Sequence, residues 1–241
     1  MKLRLIAVGL EGPVNLGYLG RLAENFDVDE LYLVSPIASI PESLRWAAKA
    51  SEEPLNARVV GSLKDALEGA ELKICTSDEA SAKDLLRVPV TPEEAAEVAA
   101  SHAGTVAVVL GRESVGLTRE ELAMCDMLVT IPASEKYTAL NVSNAAAIVL
   151  YEIYKASRKP QPAREPPDPK TVLLVEAYSR ALAYAVRAPP EATQLAFRKL
   201  LAKSSAAETR AVLSLLSKAC AALGCKDLFS EEASKLGIGS A

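Results

Sequence analysis

Over the first 157 residues, short apolar runs rich in Val, Ile and Leu alternate with amphipathic helical patterns. Strands buried on both faces read as unbroken apolar runs, so the alternation predicts an α/β domain with a mostly parallel, doubly covered sheet. Strands are expected at residues 3–9, 30–34, 58–60, 72–76, 105–110 and 127–131. Helices are expected at 16–25, 42–50, 63–69, 92–100, 120–124 and 144–157. Several start signals are local. Ser62 and Thr118 precede two of the helices, Thr91, Pro92 and Glu94 spell a capping box, and Asn141 and Ser143 suit the start of the last.

Pro160, Pro162, Pro166, Pro167 and Pro169 then follow, a density that no helix continues through. They predict an extended linker over residues 158–170. Beyond it, amphipathic segments at 172–187, 191–204, 207–223 and 231–236 predict a small all-helical module spanning 171–241, with Gly224 ending its third helix. The expected order is a domain at 1–157, a linker, and a helical extension.

Composition narrows the function classes. The chain is 50% hydrophobic and 24% charged, ordinary for a globular protein. No apolar stretch approaches the roughly 20 residues that span a bilayer. The first apolar run is short and broken by Lys2 and Arg4, unlike a signal peptide. A cytoplasmic protein without membrane attachment is expected. Cys75, Cys125, Cys220 and Cys225 form no C-x-x-C pair, and His102 is the single histidine, so no metal site is expected. The cysteines are expected to be four reduced and partly buried thiols, and His102 a helix-end residue rather than a catalyst. Charge is uneven: residues 1–169 carry 17 basic and 25 acidic side chains, a net of −8, whereas 170–241 carry 10 and 6, a net of +4. The C-terminal piece therefore suits either a polyanion or a plain solvated helical face.

Three segments are unusually polar and glycine-rich for simple connections. Residues 13–21 hold Asn15, Gly17, Gly20 and Arg21 directly after the first strand, where a nucleotide-binding fold often seats ligand, although G-x-G-x-x-G is absent. Gly17 and Gly20 give this helix one smooth side that another backbone could approach. Residues 108–118 run from a buried strand into Gly111, Arg112 and Glu113, where Gly111 could let a ligand lie against bare backbone and Glu113 could pair with a guanidinium. Residues 131–144 lead through a polar loop to Leu140, Asn141 and an alanine-rich helix whose amide groups could bind a carboxylate or a purine edge. Each also has an ordinary reading, as a surface ion pair, a strand-to-helix turn and an N-cap.

In this order the segments N-x-G-x-x-x-R (from Asn15), L-G-R-E-S-x-G-L (from Leu110) and I-P…Y-x-x-L-N-V-S-x-A (from Ile131) resemble the three motifs of SpoU-type RNA 2′-O-methyltransferases of the SPOUT superfamily, over residues 3–157. The third motif and the helical extension are most similar to the branch that methylates nucleotide 32 of the tRNA anticodon loop. The resemblance implies a C-terminal trefoil knot, a homodimer, and S-adenosylmethionine bent into a pocket lined by Thr76, Ser77, Gly111, Ile131, Leu140 and Asn141. It assigns the methyl transfer to Arg21, with Asn15 and Glu113 in support. Arginine keeps its proton, so Arg21 suits a clamp on the neighbouring phosphate better than a base. Ala139 departs from relatives that carry Ser there. RNA is expected on the linker and extension, with Arg198, Lys199, Lys203 and Arg210 the densest basic group and Arg158, Lys159 and Arg164 nearby. The alternatives are an rRNA 2′-O-methyltransferase, a non-catalytic RNA-binding relative, and a nicotinamide-dependent oxidoreductase, the last disfavoured by the missing glycine fingerprint.

Overall fold

The computed structural model describes residues 1–50, 54, 56–81, 83–158 and 165–238. It divides into two compact units, 1–161 and 162–241. Among the described residues of the first unit, seven strands make one all-parallel sheet: β1 (Lys2–Val8), β2 (Glu30–Val34), β3 (Arg58–Val60), β4 (Leu72–Thr76), β5 (Pro89–Val90), β6 (Thr105–Leu110) and β7 (Met127–Val129). Their spatial order is β3-β2-β1-β6-β4-β7-β5. The central strands are buried almost throughout, as their continuous apolar runs demand. Leu5 of β1 pairs with Val108 of β6 and Leu31 of β2, fixing the register on both sides.

Helices cover the sheet: α1 (Pro13–Asn25), α2 (Ile40–Ala47), α3 (Leu63–Leu67), α4 (Pro92–Ala100), α5 (Arg119–Ala123) and α6 (Val142–Ser157). The capping box at Thr91 and Glu94 forms, and a second joins Thr118 to Glu121. Asn141 is the N-cap of α6, and the His102 ring bonds the carbonyl oxygen of Val98 at the end of α4. Most helix limits shift by a few residues, and three of the boundaries that differ have a plain local cause. Proline pre-set at a first helical position starts α1 at Pro13, three residues early. Gly9 leaves β1 with a φ of 58°. β7 stops at Val129, short of Pro132, which has no amide to donate.

One buried ion pair sits in this layer. Arg4 on β1, 6% exposed, donates to Glu30 and to the carbonyl oxygens of Ala66 and Glu68, and lies 4.6 Å from the Tyr32 ring centre. The expectation of reduced thiols is corrected. Cys75 is disulfide-bonded to Cys125, and Cys220 to Cys225. Parallel pairing of β4 with β7 sets Ile74 against Met127 and Cys75 against Leu128, which brings Cys75 within reach of Cys125, two residues before β7. The turn at Gly224 returns Cys225 to Cys220, with Cα atoms 5.0 Å apart.

The second unit contains α7 (Pro169–Ala185), α8 (Pro190–Leu201), α9 (Ala206–Ala222) and α10 (Lys226–Lys235). The other three helices pack on α7, with Val175, Leu201 and Leu216 in one core cluster. Among the described residues no helix is long and apolar enough to cross a membrane. Lys159 and Arg164, together with Pro160 and Pro162, lie outside the described residues.

Candidate active site

A cavity of about 880 Å³ opens at the carboxyl ends of β4, β6 and β7, the edge of a parallel sheet where ligands of such folds gather. Four chain segments wall it, residues 76–79, 110–117, 129–131 and 137–145, together with Arg87. Thr76, Ser77, Gly111, Ile131, Leu140 and Asn141 all line it, so the six expected pocket residues converge on one space. Thr138 and Ala139 share a wall.

The rim is locked by a chain of side-chain amides and one carboxylate. Glu113 accepts hydrogen bonds from the backbone amide of Glu11 (2.9 Å), that of Gly12 (3.1 Å) and Asn15 Nδ2 (2.9 Å). Asn15 Oδ1 in turn accepts from Asn141 Nδ2 at 3.0 Å. Asn141 Oδ1 caps α6, accepting from the Ser143 amide (2.9 Å) and hydroxyl (2.6 Å). Residues about a hundred positions apart are thus joined, and the three motif segments become one unit. Burial alone would push the Glu113 carboxyl up. The hydrogen bonds from Asn15, Glu11 and Gly12 outweigh it and hold the group below the usual carboxylate range.

Two of the expected roles change. Glu113 binds amide donors rather than a guanidinium. The guanidinium next to it, Arg112, makes a two-pronged pair with Glu121, both contacts at 2.9 Å. Gly111 is needed for the loop itself: a Cβ there would stand 2.5 Å from the Gly116 carbonyl carbon and 2.7 Å from the Leu117 nitrogen. The 110–117 loop folds back on this glycine, with Arg112 and Gly116 exchanging backbone hydrogen bonds. Thr76 lines the cavity while its hydroxyl bonds Val109 O, so it presents backbone and methyl surface. Tyr137, 78% exposed at the rim, was not singled out from sequence; its place in Y-x-x-L-N was the available signal.

Arg21 stands on the exposed side of α1, 5.9 Å from the Tyr18 ring centre, and is not among the residues lining the cavity. Asn15, Tyr18 and Arg21 fall at i, i+3, i+6, one row along the helix that starts at the locked rim. Of the basic group in the second unit, Arg198 is committed elsewhere: its guanidinium pairs with buried Glu176 at 2.9 and 3.1 Å, tying α8 to α7. Lys203 and Arg210 are exposed, and Lys199 is partly so. Arg158 pairs with Asp27 and lies over Tyr154. No cluster of three or more His, Cys, Asp or Glu side chains among the described residues could hold a metal ion.

Residues 2–151 match the model of the SpoU rRNA methylase family. A tRNA (cytidine-2′-O-)-methyltransferase TrmJ of Sulfolobus acidocaldarius is 40% identical over 187 residues, 76% of each chain. The TrmJ of Methanocaldococcus jannaschii is 39% identical over 155 residues, 62% of this chain and 67% of its own. Among solved structures, a probable methylase family protein from Haemophilus influenzae superposes with a TM-score of 0.65 at 28% identity, covering 90% of this chain and 94% of its own. This chain belongs to the SpoU methylase family.

Proposed function

We propose that the protein is a tRNA ribose 2′-O-methyltransferase that uses S-adenosylmethionine and acts on nucleotide 32 of the anticodon loop. The observation that carries this reading is the lock of Asn15, Glu113 and Asn141, which gathers three separated motif segments at one cavity edge. The related tRNA (cytidine-2′-O-)-methyltransferases favour tRNA over the rRNA of the family name.

The cavity suits the cofactor. Its volume is in the range of small-molecule sites, and Ile131 and Leu140 offer apolar walls for a purine. Gly111, Ser77 and Asn141 would contribute mainly backbone groups, since their side chains are absent or engaged. When bound, the cofactor supplies an electrophilic methyl group. This chain supplies alignment and help in losing the ribose hydroxyl proton. Arg21, a permanent cation, would clamp the adjacent phosphate and stabilise the developing alkoxide, with the proton leaving through phosphate or water. Asn15 and Glu113 position the start of α1, from which Arg21 projects.

Arg21 lies outside its own protomer's cavity wall, which supports a homodimer in which a second copy delivers it. The insertion of β6 between β1 and β4, and of β7 between β4 and β5, supports a trefoil knot. The helical unit, through Lys199, Lys203 and Arg210, would hold tRNA phosphates, with Arg198 as an internal brace. A tRNA substrate fits an enzyme of the cytoplasm. Mass-spectrometric mapping of methyl groups on bulk tRNA incubated with labelled cofactor tests this reading. A single site at ribose 32 is expected, and methyl groups at another tRNA position, or none on tRNA while rRNA added in parallel is methylated, would refute it. In Arg21→Ala, methylation is expected to vanish while cofactor affinity stays; near-normal turnover would defeat the clamp.

A further inference from the structure

We propose that Trp46, the sole tryptophan of the chain, forms with Tyr18 a stacking platform for an unpaired base of the RNA substrate beside the methylated ribose; this rests on the RNA methylation reading above. The platform begins with a missing side chain. A Cβ on Gly17 would stand 2.5 Å from Ser43 O and 2.5 Å from Trp46 Cβ, so only glycine lets α2 settle this closely on α1. Ser43 and Ala47, both fully buried, make that helix contact. Trp46 does not seal it. The indole remains 42% exposed and the Tyr18 ring 37%, edge to face with centres 6.4 Å apart and planes at 78°. Two large rings at the surface bury less apolar area than the core could offer them, which marks a surface kept for contact.

Its surroundings specify the partner. Arg21 on α1, Arg45 on α2 and Lys49 just after α2 are exposed, and none is paired with a carboxylate among the described residues. The unit as a whole is acidic, but few of its carboxylates lie on these two helices. Glu24 on α1 and Glu42 on α2 are those that do. An exposed ring face braced by a second ring and flanked by cations fits a nucleotide, whose base stacks on the one ring while its phosphates meet the cations. An unpaired base is required, because a paired one keeps its faces inside the duplex. The position agrees: Tyr18 lies between Asn15 at the locked rim and Arg21, about 5 Å from each along the helix axis.

The test uses the intact protein and its own fluorophore. An RNA anticodon stem-loop should quench Trp46 emission saturably, and a fully paired RNA of the same length should not. Trp46→Leu should raise KM for the stem-loop about tenfold or more, the size of one lost base–aromatic stack, with cofactor affinity unchanged, and Trp46→Phe should restore most of it. Emission unmoved by saturating stem-loop, or an unchanged KM in Trp46→Leu, with wild-type methylation intact, overturns the platform alone. So does emission that shifts when copies of the chain dissociate on dilution and not with RNA, which would assign the rings to a contact between copies. Wild-type protein that neither binds nor methylates RNA overturns the methylation reading and the platform with it.

Discussion

The lock at the cavity rim makes a quantitative demand on Glu113. Its two oxygens serve three donors, the amides of Glu11 and Gly12 and the side chain of Asn15. Glu113→Gln preserves shape and leaves one oxygen, enough for Gly12 and Asn15, but turns an NH₂ group towards the Glu11 amide. A buried donor facing a donor costs about 1–3 kcal/mol. Glu113 stands partly in solvent, which offers the orphaned amide a substitute, so the lower end applies, about 1 kcal/mol or a fivefold change in local opening. Hydrogen exchange should show it as roughly fivefold faster exchange at Glu11 and Gly12, with the core of β1 unaffected. The same bonds hold the Glu113 carboxyl below its ordinary range. A depressed carboxylate contributes stability that is complete above the unfolded-state pKa and lost as pH falls through the folded one. Wild-type rim amides should therefore loosen in mild acid, while the Gln variant, already loosened, shows no such step. Identical protection in both proteins, or an acid step that survives in the variant, would refute the reasoning.

Arg4→Ala leaves Glu30 buried with Lys2 and the more exposed Arg58 as its remaining partners, and should cost about 3–5 kcal/mol in urea unfolding. Burial pushes Glu30 up, but Lys2 and Arg4 outweigh it and hold the carboxyl low, so this contribution should fade in acid and be absent from the acid dependence of the Arg4→Ala protein. The Cys75–Cys125 bond joins positions 50 apart in sequence, and reduction during unfolding should lower stability by about 4 kcal/mol; thiol titration of the unfolded, unreduced protein should find no free sulfhydryl. Replacing Lys199, Lys203 and Arg210 by Ala should weaken tRNA binding and shrink the slope of log K against log salt by roughly 2 to 3, read by filter binding at several salt concentrations.

The sheet was legible because its strands are buried on both faces, and burial is what an apolar run reports. Strands β2, β3, β4 and β6 match the expected limits residue for residue. What escaped were features set by something other than local pattern. β5 is two residues long behind a proline and leaves no periodic trace. The Cys75–Cys125 pairing depends on which strands lie side by side. Glu113 shows the same limit at the site: its charge invited a guanidinium partner, whereas its real donors sit on the loop after β1, about a hundred residues away. Arg198 counted as a surface cation in the sequence, and only the packing of α8 on α7 reveals the buried carboxylate that claims it. The gathering of the six pocket residues was readable only through the order of the three motifs, since no single segment distinguishes a ligand loop from a turn.

These corrections share a physical direction. Asn15, Glu113 and Asn141 are the most polar members of the motifs, and their hydrogen-bonding groups are spent largely on one another, on nearby backbone and on the cap of α6. Gly17 and Gly111 are likewise spent on protein contacts, one admitting α2 and the other the return of its own loop. What remains for a ligand is largely backbone, the apolar walls at Ile131 and Leu140, and the exposed polar side chains of Asp78, Tyr137, Thr138 and Asn144. A site built this way offers shape and alignment rather than a strong acid or base. That is sufficient for displacement at an already electrophilic methyl group, where proximity and orientation can supply most of the rate. It also makes the replacement of Ser by Ala at position 139 tolerable, because the motif's rigidity resides in the Asn15–Asn141 bond and not in that hydroxyl.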